Sequence, residues 1–81
     1  MEITVGMLVY SKAGRDKKKL FLVLNIENDY PYIADGDMRK AEKPKKKKLI
    51  HLQKINKVFE NINKDISNSE IRKIIAQHKP I

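Results

Sequence analysis

The chain has 81 residues, with 18 Lys and Arg against 10 Asp and Glu and no cysteine. That length allows one small domain with a modest core. The missing cysteines exclude a disulfide framework and thiolate metal sites, and the longest apolar run, Leu20 to Leu24, is far short of the roughly 20 residues that span a bilayer.

At the N-terminus, Met1-Glu2-Ile3-Thr4 lacks the basic stretch and long apolar run of a signal peptide, so an unprocessed, soluble, cytoplasmic chain is expected. Met7 to Tyr10 and Leu20 to Ile26 are rich in β-branched and aromatic residues and bounded by polar or glycine-bearing segments, which predicts two strands. Ser11 to Lys19 joins them as a hairpin with a basic tip, and Gly14 is placed to take the positive φ such a turn needs. Tyr30 to Ala34 reads as a third strand, with Pro31 near its start or at a sheet edge because it cannot donate to a ladder. Asp35-Gly36 is a hairpin turn signal leading to an expected short fourth strand, Met38 to Ala41. Past Pro44, Leu49 to Leu52 makes a fifth, with an extension backwards through the lysines as the alternative. Five short strands joined mostly by tight turns predict a mainly β fold, a small five-stranded barrel.

Beyond Leu52 the apolar spacing changes. Ile55, Val58, Phe59 and Ile62 recur at three and four residues, which predicts a short helix. Ser67-Asn68-Ser69-Glu70 is a capping box, followed by the stripe Ile71, Ile74 and Ile75 and a stop at Lys79-Pro80, which predicts a second helix. The expected organisation is a barrel over residues 1–53 and a helical C-terminal extension over 54–81 that covers an open side of it.

The charge is segregated. Lys12 to Lys19 holds five basic residues and one acid, Arg39 to Lys48 holds seven and one, and Leu20 to Met38 between them holds four acids and no base. An isolated charge run is more often a solvated tip than a site; two runs flanking a strand-rich segment can form one patch of positive potential. Arginine's planar fork suits a phosphate or a guanine edge while lysines act as point charges, so Arg15 and Arg39 are candidates for defined contacts. Lys12, Lys17, Lys18, Lys19, Lys40, Lys43, Lys45, Lys46, Lys47 and Lys48 are candidates for electrostatic grip. Tyr10, Tyr30 and Tyr32 could stack on unpaired bases, although strand tyrosines more often fill a core or its rim; Tyr10, beside the basic loop, is the best placed. Acidic turns at Glu27 to Asp29 and Asp35 to Asp37 are expected to point away from the basic patch.

The segment Gly6-Met7-Leu8-Val9-Tyr10-Ser11-Lys12-Ala13-Gly14-Arg15-Asp16, followed by Lys19 and the strand Leu20 to Leu24, resembles the KOW motif: a strand, a loop with Gly and a basic residue, and a second strand. Asp35-Gly36, Arg39-Lys40 and Leu49-Ile50-His51-Leu52 look like matching stretches of the small KOW-containing large-subunit ribosomal proteins of archaea and eukaryotes, whose bacterial relatives are KOW-domain RNA-binding proteins. The resemblance covers Glu2 to Leu52. It implies an SH3-like barrel and RNA binding, with Gly14, Arg15, Lys19, Arg39 and Lys40 at the family's contact positions. Where the motif usually has a second glycine this chain has Lys18, which implies a remodelled or strained turn. The helical tail is not explained by the motif.

Catalysis has little support: there is no Gly-x-x-x-x-Gly-Lys-Ser/Thr loop, His51 and His78 are far apart in sequence, and Asp35 and Asp37 flank a turn glycine. The expected protein is a monomeric, non-catalytic RNA-binding factor without metal or cofactor, membrane or small-molecule substrate, acting on ribosomal RNA or the ribosome in translation or ribosome assembly. The alternative is a protein-interaction module that docks an acidic partner through its basic surface or helical tail.

Overall fold

The continuous apolar run Leu20 to Val23 is buried on both sides, and the fold is arranged around it. The computed structural model describes residues 3–59, 62 and 65–78. It contains strands β1 (Met7–Ser11), β2 (Leu20–Glu27), β3 (Tyr30–Ala34), β4 (Lys45–Lys46) and β5 (Leu52–Val58) and one helix, α1 (Asn68–His78). The strands form one antiparallel sheet in the order β4-β3-β2-β1-β5.

Side chains alternate between the faces of a strand, and here both faces carry apolar residues. Val9, Phe21, Val23, Ile33 and Leu52 gather on one face with Ile3 and Met7. Leu8, Leu20, Leu22 and Ala34 gather on the other, against Ile66, Ile71 and Ile75. Fully burying a side chain such as Phe21 or Leu22, both at 0 % exposure, contributes about 1.5–3 kcal/mol.

The predicted second helix is present. Ser67 Oγ accepts the Glu70 N–H at 3.1 Å and donates to the Glu70 carboxylate at 3.2 Å, and Ile71 and Ile75 turn to the sheet with Ile74 packed beside them. The expected stop at Lys79-Pro80 lies outside the described residues.

The predicted first helix is a strand instead. β5 reaches Val58, with a bulge in its pairing: Val9 pairs with Lys54 but Met7 pairs with Val58, so two steps along β1 match four along β5. Ile55 and Phe59, four apart, pack on the same cluster, a spacing that one face of a strand and one face of a helix share, while Val58 is exposed. The expected fifth strand is also displaced. Leu49–His51 forms a 3-10 turn whose end is held by Lys12 N–H donating to the His51 carbonyl at 2.7 Å, and pairing starts at Leu52 opposite Ser11.

The expected fourth strand, Met38 to Ala41, is a loop. Asp35 Oδ1 accepts the Asp37 N–H at 2.9 Å and the Arg39 N–H at 2.8 Å, and the Ala41 N–H donates to Asn68 Oδ1 at 2.7 Å. Those donors are taken by side chains rather than a ladder. Strand β4 lies in the lysine run, opposite Tyr32 and Ile33. The loop in turn seats the helix. Arg72 Nη1 donates to the Gly36 carbonyl at 2.5 Å, and Gly36 has φ +78° with Asn68 O 2.4 Å from where a Cβ would stand. Only glycine allows both that backbone and that approach.

Candidate nucleic-acid interface

The basic loop between β1 and β2 is built on two left-handed residues. Gly14 has φ 74° and Lys18 φ 69°, so Lys18 adopts a backbone conformation usual for glycine, at a cost of about 1–2 kcal/mol for an L-residue. Between them Gly14–Asp16 forms a 3-10 turn, and the base of the loop is tied by Ser11 N–H to the Lys19 carbonyl at 3.0 Å and Lys18 N–H to the Ser11 carbonyl at 2.8 Å. Lys12, Gly14, Arg15, Lys17, Lys18 and Lys19 are all exposed.

The turn directs its one acid inward. Asp16 is buried, and its Oδ2 accepts from Arg39 Nη2 at 3.0 Å and Nε at 3.3 Å, with Lys47 Nζ at 3.8 Å. The Lys47 ammonium also lies 3.9 Å from where a Gly14 Cβ would stand. One carboxylate thus joins the two basic segments, with Asp16 and Arg39 23 positions apart in sequence. Sequence reasoning missed Asp16; a lone acid in an otherwise basic loop was the available signal.

The second segment divides. Arg39 and Lys47 turn to Asp16, while Lys46 places its ammonium 4.3 Å from the centroid of Tyr30, a cation–π contact. Lys40, Lys43, Lys45 and Lys48 are exposed. Glu42, in the same segment, has its carboxyl held below the usual carboxylate range, first because Asn68 Nδ2 donates to both oxygens at 2.9 and 3.1 Å, then through its own backbone N–H, with Lys40 adding a smaller push.

Tyr10 stands at the meeting of two hollows. One, of about 340 Å³, is lined by Tyr10 with Lys12, Lys17, Lys18 and Gln53. The other, of about 510 Å³, is lined by Tyr10 with Lys18, Lys19, Asp37, Met38 and Arg72 among others. Of the three tyrosines, Tyr10 is therefore the one flanked by the basic loop. The face of Tyr30 carries Lys46, and Tyr32 is half-buried on β3.

The acidic turns fall at opposite ends of the sheet. Glu27 to Asp29 lies at the far end of β2, about 23 Å from Leu20 at roughly 3.3 Å per residue, away from the basic loop as expected. Asp35 to Asp37 does not point away. β3 runs antiparallel to β2, with Ala34 opposite Leu22, so the turn after β3 returns to the end where the basic loop sits, and Asp35 and Asp37 share a hollow with Lys18 and Lys19.

No family model matches this sequence, and no curated protein matches it. Among the described residues no helix is long and apolar enough to cross a membrane, and no group of three or more His, Asp or Glu side chains gathers at one point.

Proposed function

We propose that this chain is a non-catalytic RNA-binding domain that grips structured RNA, ribosomal RNA first among candidates, through phosphate contacts in translation or ribosome assembly. The observation that carries the reading is the Asp16 pin. It holds Arg39 and Lys47 against the basic loop, where Lys12, Lys17, Lys18 and Lys19 line the hollows beside Tyr10 and Arg15 is exposed on the same turn. Cations displayed from a fixed frame lose little freedom on binding, and a tyrosine among them adds a stacking face.

The fold class proposed is the SH3-like barrel of KOW type. Three features support it: the strand order β4-β3-β2-β1-β5, the 3-10 turn immediately before the last strand, and an inner apolar cluster drawing on β1, β2, β3 and β5. The left-handed Lys18 supports the same turn geometry that the motif usually builds with glycine. Docking of an acidic protein through the tail has no observation of its own in favour, because Ile71 and Ile75 are buried against the chain's own sheet.

The test is co-sedimentation with ribosomal particles at low salt, paired with a gel-shift assay on structured RNA. A protein that stays at the top of the gradient and shifts no RNA refutes the reading, and an association that survives nuclease points to a protein partner. If about six phosphates are neutralised, affinity falls roughly a thousandfold between 50 and 200 mM salt.

A further inference from the structure

The larger hollow beside Tyr10 contains a group that phosphate binding does not explain. Asp37 is exposed on the Asp35-to-Arg39 turn and lines this groove together with Lys18 and Lys19. A carboxylate there repels phosphate and weakens the electrostatic attraction on which non-specific binding depends. We propose that the groove is a guanine-binding subsite. Tyr10 offers the stacking face, Asp37 the acceptor pair for the guanine Watson–Crick edge, and Lys18 and Lys19 the cations for the adjoining phosphate. The inference rests on the RNA-binding reading and adds base selection to it.

The choice of base follows from where donors lie. An ionised carboxylate only accepts hydrogen bonds, through two oxygens side by side. Guanine sets two N–H donors side by side on its Watson–Crick edge, N1–H and the 2-amino group. Adenine and cytosine each place one amino donor next to a bare ring nitrogen, and uracil flanks its single N–H with two carbonyls. Each of those puts an acceptor lone pair against a carboxylate oxygen.

The assignment to Asp37 rather than Asp35 comes from the turn itself. Asp35 Oδ1 already accepts two backbone N–H groups at 2.9 and 2.8 Å, which is what shapes the turn. Arg72 is likewise engaged on the Gly36 carbonyl. The groove has about 510 Å³ and includes Leu20 and Ile75 in its lining, within the size and partly apolar character of sites that take a planar ring.

The experiment uses RNA hairpins identical except for one base in a uridine loop: guanine, adenine or inosine. Each is titrated against the full chain by fluorescence anisotropy at about 50 mM salt, where electrostatic binding is strong. The guanine hairpin is expected to bind about tenfold more tightly than the adenine one, the discrimination of a good bidentate contact. Inosine, which keeps N1–H and lacks the 2-amino group, falls between. Asp37→Asn brings the three affinities together, while binding to an all-uridine hairpin holds or rises as a negative charge is lost.

Three equal wild-type affinities overturn the guanine assignment and leave phosphate binding standing. A preference that survives Asp37→Asn in a variant with an unchanged melting curve overturns it as well. Absence of binding to every hairpin removes both this inference and the reading beneath it. The wild-type series needs no variant, so a folding defect in Asp37→Asn cannot obscure the outcome.

Discussion

Replacing Asp16 by asparagine keeps the shape of the pin and removes its charge. The Asp16 side chain is 6 % exposed, Lys47's 11 % and Arg39's 30 %. Breaking a fully buried ion pair costs about 3–5 kcal/mol, and a hydrogen bond to a charged group about 1.5–3 kcal/mol. Arg39 is nearly a third exposed and regains part of its hydration, and the Lys47 contact is long, so the lower figure applies: about 2 kcal/mol. For a domain of this size that lowers the melting temperature by roughly 8–16 °C, at about 4–8 °C per kcal/mol. The assay is thermal unfolding followed by circular dichroism, with Arg15→Gln as control, since Arg15 is exposed on the same turn and its loss stays within about 0.5 kcal/mol. A double-mutant cycle with Arg39→Gln is expected to give a coupling of about 1 kcal/mol or more. A melting temperature within about 2 °C of wild type, or strictly additive effects, refutes the reasoning. RNA affinity supplies an independent sign. Asp16→Asn raises the net charge by one, so charge counting predicts tighter binding, whereas loss of the pin predicts weaker binding at temperatures where the variant is still folded.

Lys18→Gly relieves a left-handed lysine of about 1–2 kcal/mol and adds about 0.4–1 kcal/mol of unfolded-chain entropy. A net gain of about 0.5–1 kcal/mol in urea unfolding is expected, with a salt slope for RNA binding shallower by about one charge. Gly36→Ala would force a Cβ to 2.4 Å from the Asn68 carbonyl oxygen at φ +78°; a loss of at least about 2 kcal/mol is expected, seen as a lowered melting temperature. Asn68→Ala removes the largest cause of the depressed Glu42 pKa, so NMR titration should find that carboxyl moved up toward its ordinary range. The sign for stability follows: with the folded pKa depressed, the Glu42 contribution is present above the unfolded value and is lost as the pH falls through the folded one, and Asn68→Ala flattens that dependence.

The strands that could be read from the sequence are those whose burial follows a simple period. Leu20 to Val23 is apolar at every position because both of its faces are covered, and the isoleucine stripe of α1 follows one helical face. Hydropathy fails where a strand is not buried. Lys45 and Lys46 pair with β3 while both are exposed, and lysine stems can lie along a sheet with their heads in water. It fails again where an apolar residue is exposed, as Val58 is beside Ile55 and Phe59, which share one face. Asp35-Gly36 was legible as a turn but not as the kind of turn it is, because its continuation is set by Asn68, a residue of α1. The basic loop, its left-handed Gly14 and the placement of Tyr10 were legible from local chemistry. The Asp16–Arg39 contact was not, since it spans 23 positions and neither residue's neighbours mark it.

The pin also changes what the charge count means. By sequence alone every basic residue of both segments is available to a polyanion. In the folded chain Arg39 and Lys47 already face Asp16, Lys46 already faces Tyr30, and Asp35 and Asp37 stand at the same end of the sheet as the basic loop. The three carboxylates reduce the field that a phosphate backbone would meet, and like charges so close together would otherwise destabilise the loop. The phosphate footprint should therefore be smaller than the number of lysines suggests and concentrated on Lys12, Arg15, Lys17, Lys18 and Lys19. A salt slope near −4.5, the value for five cations each neutralising a phosphate at roughly −0.9, agrees with that footprint. A slope twice as steep would require the whole second segment to engage as well, and with it the opening of the contacts that Asp16 makes.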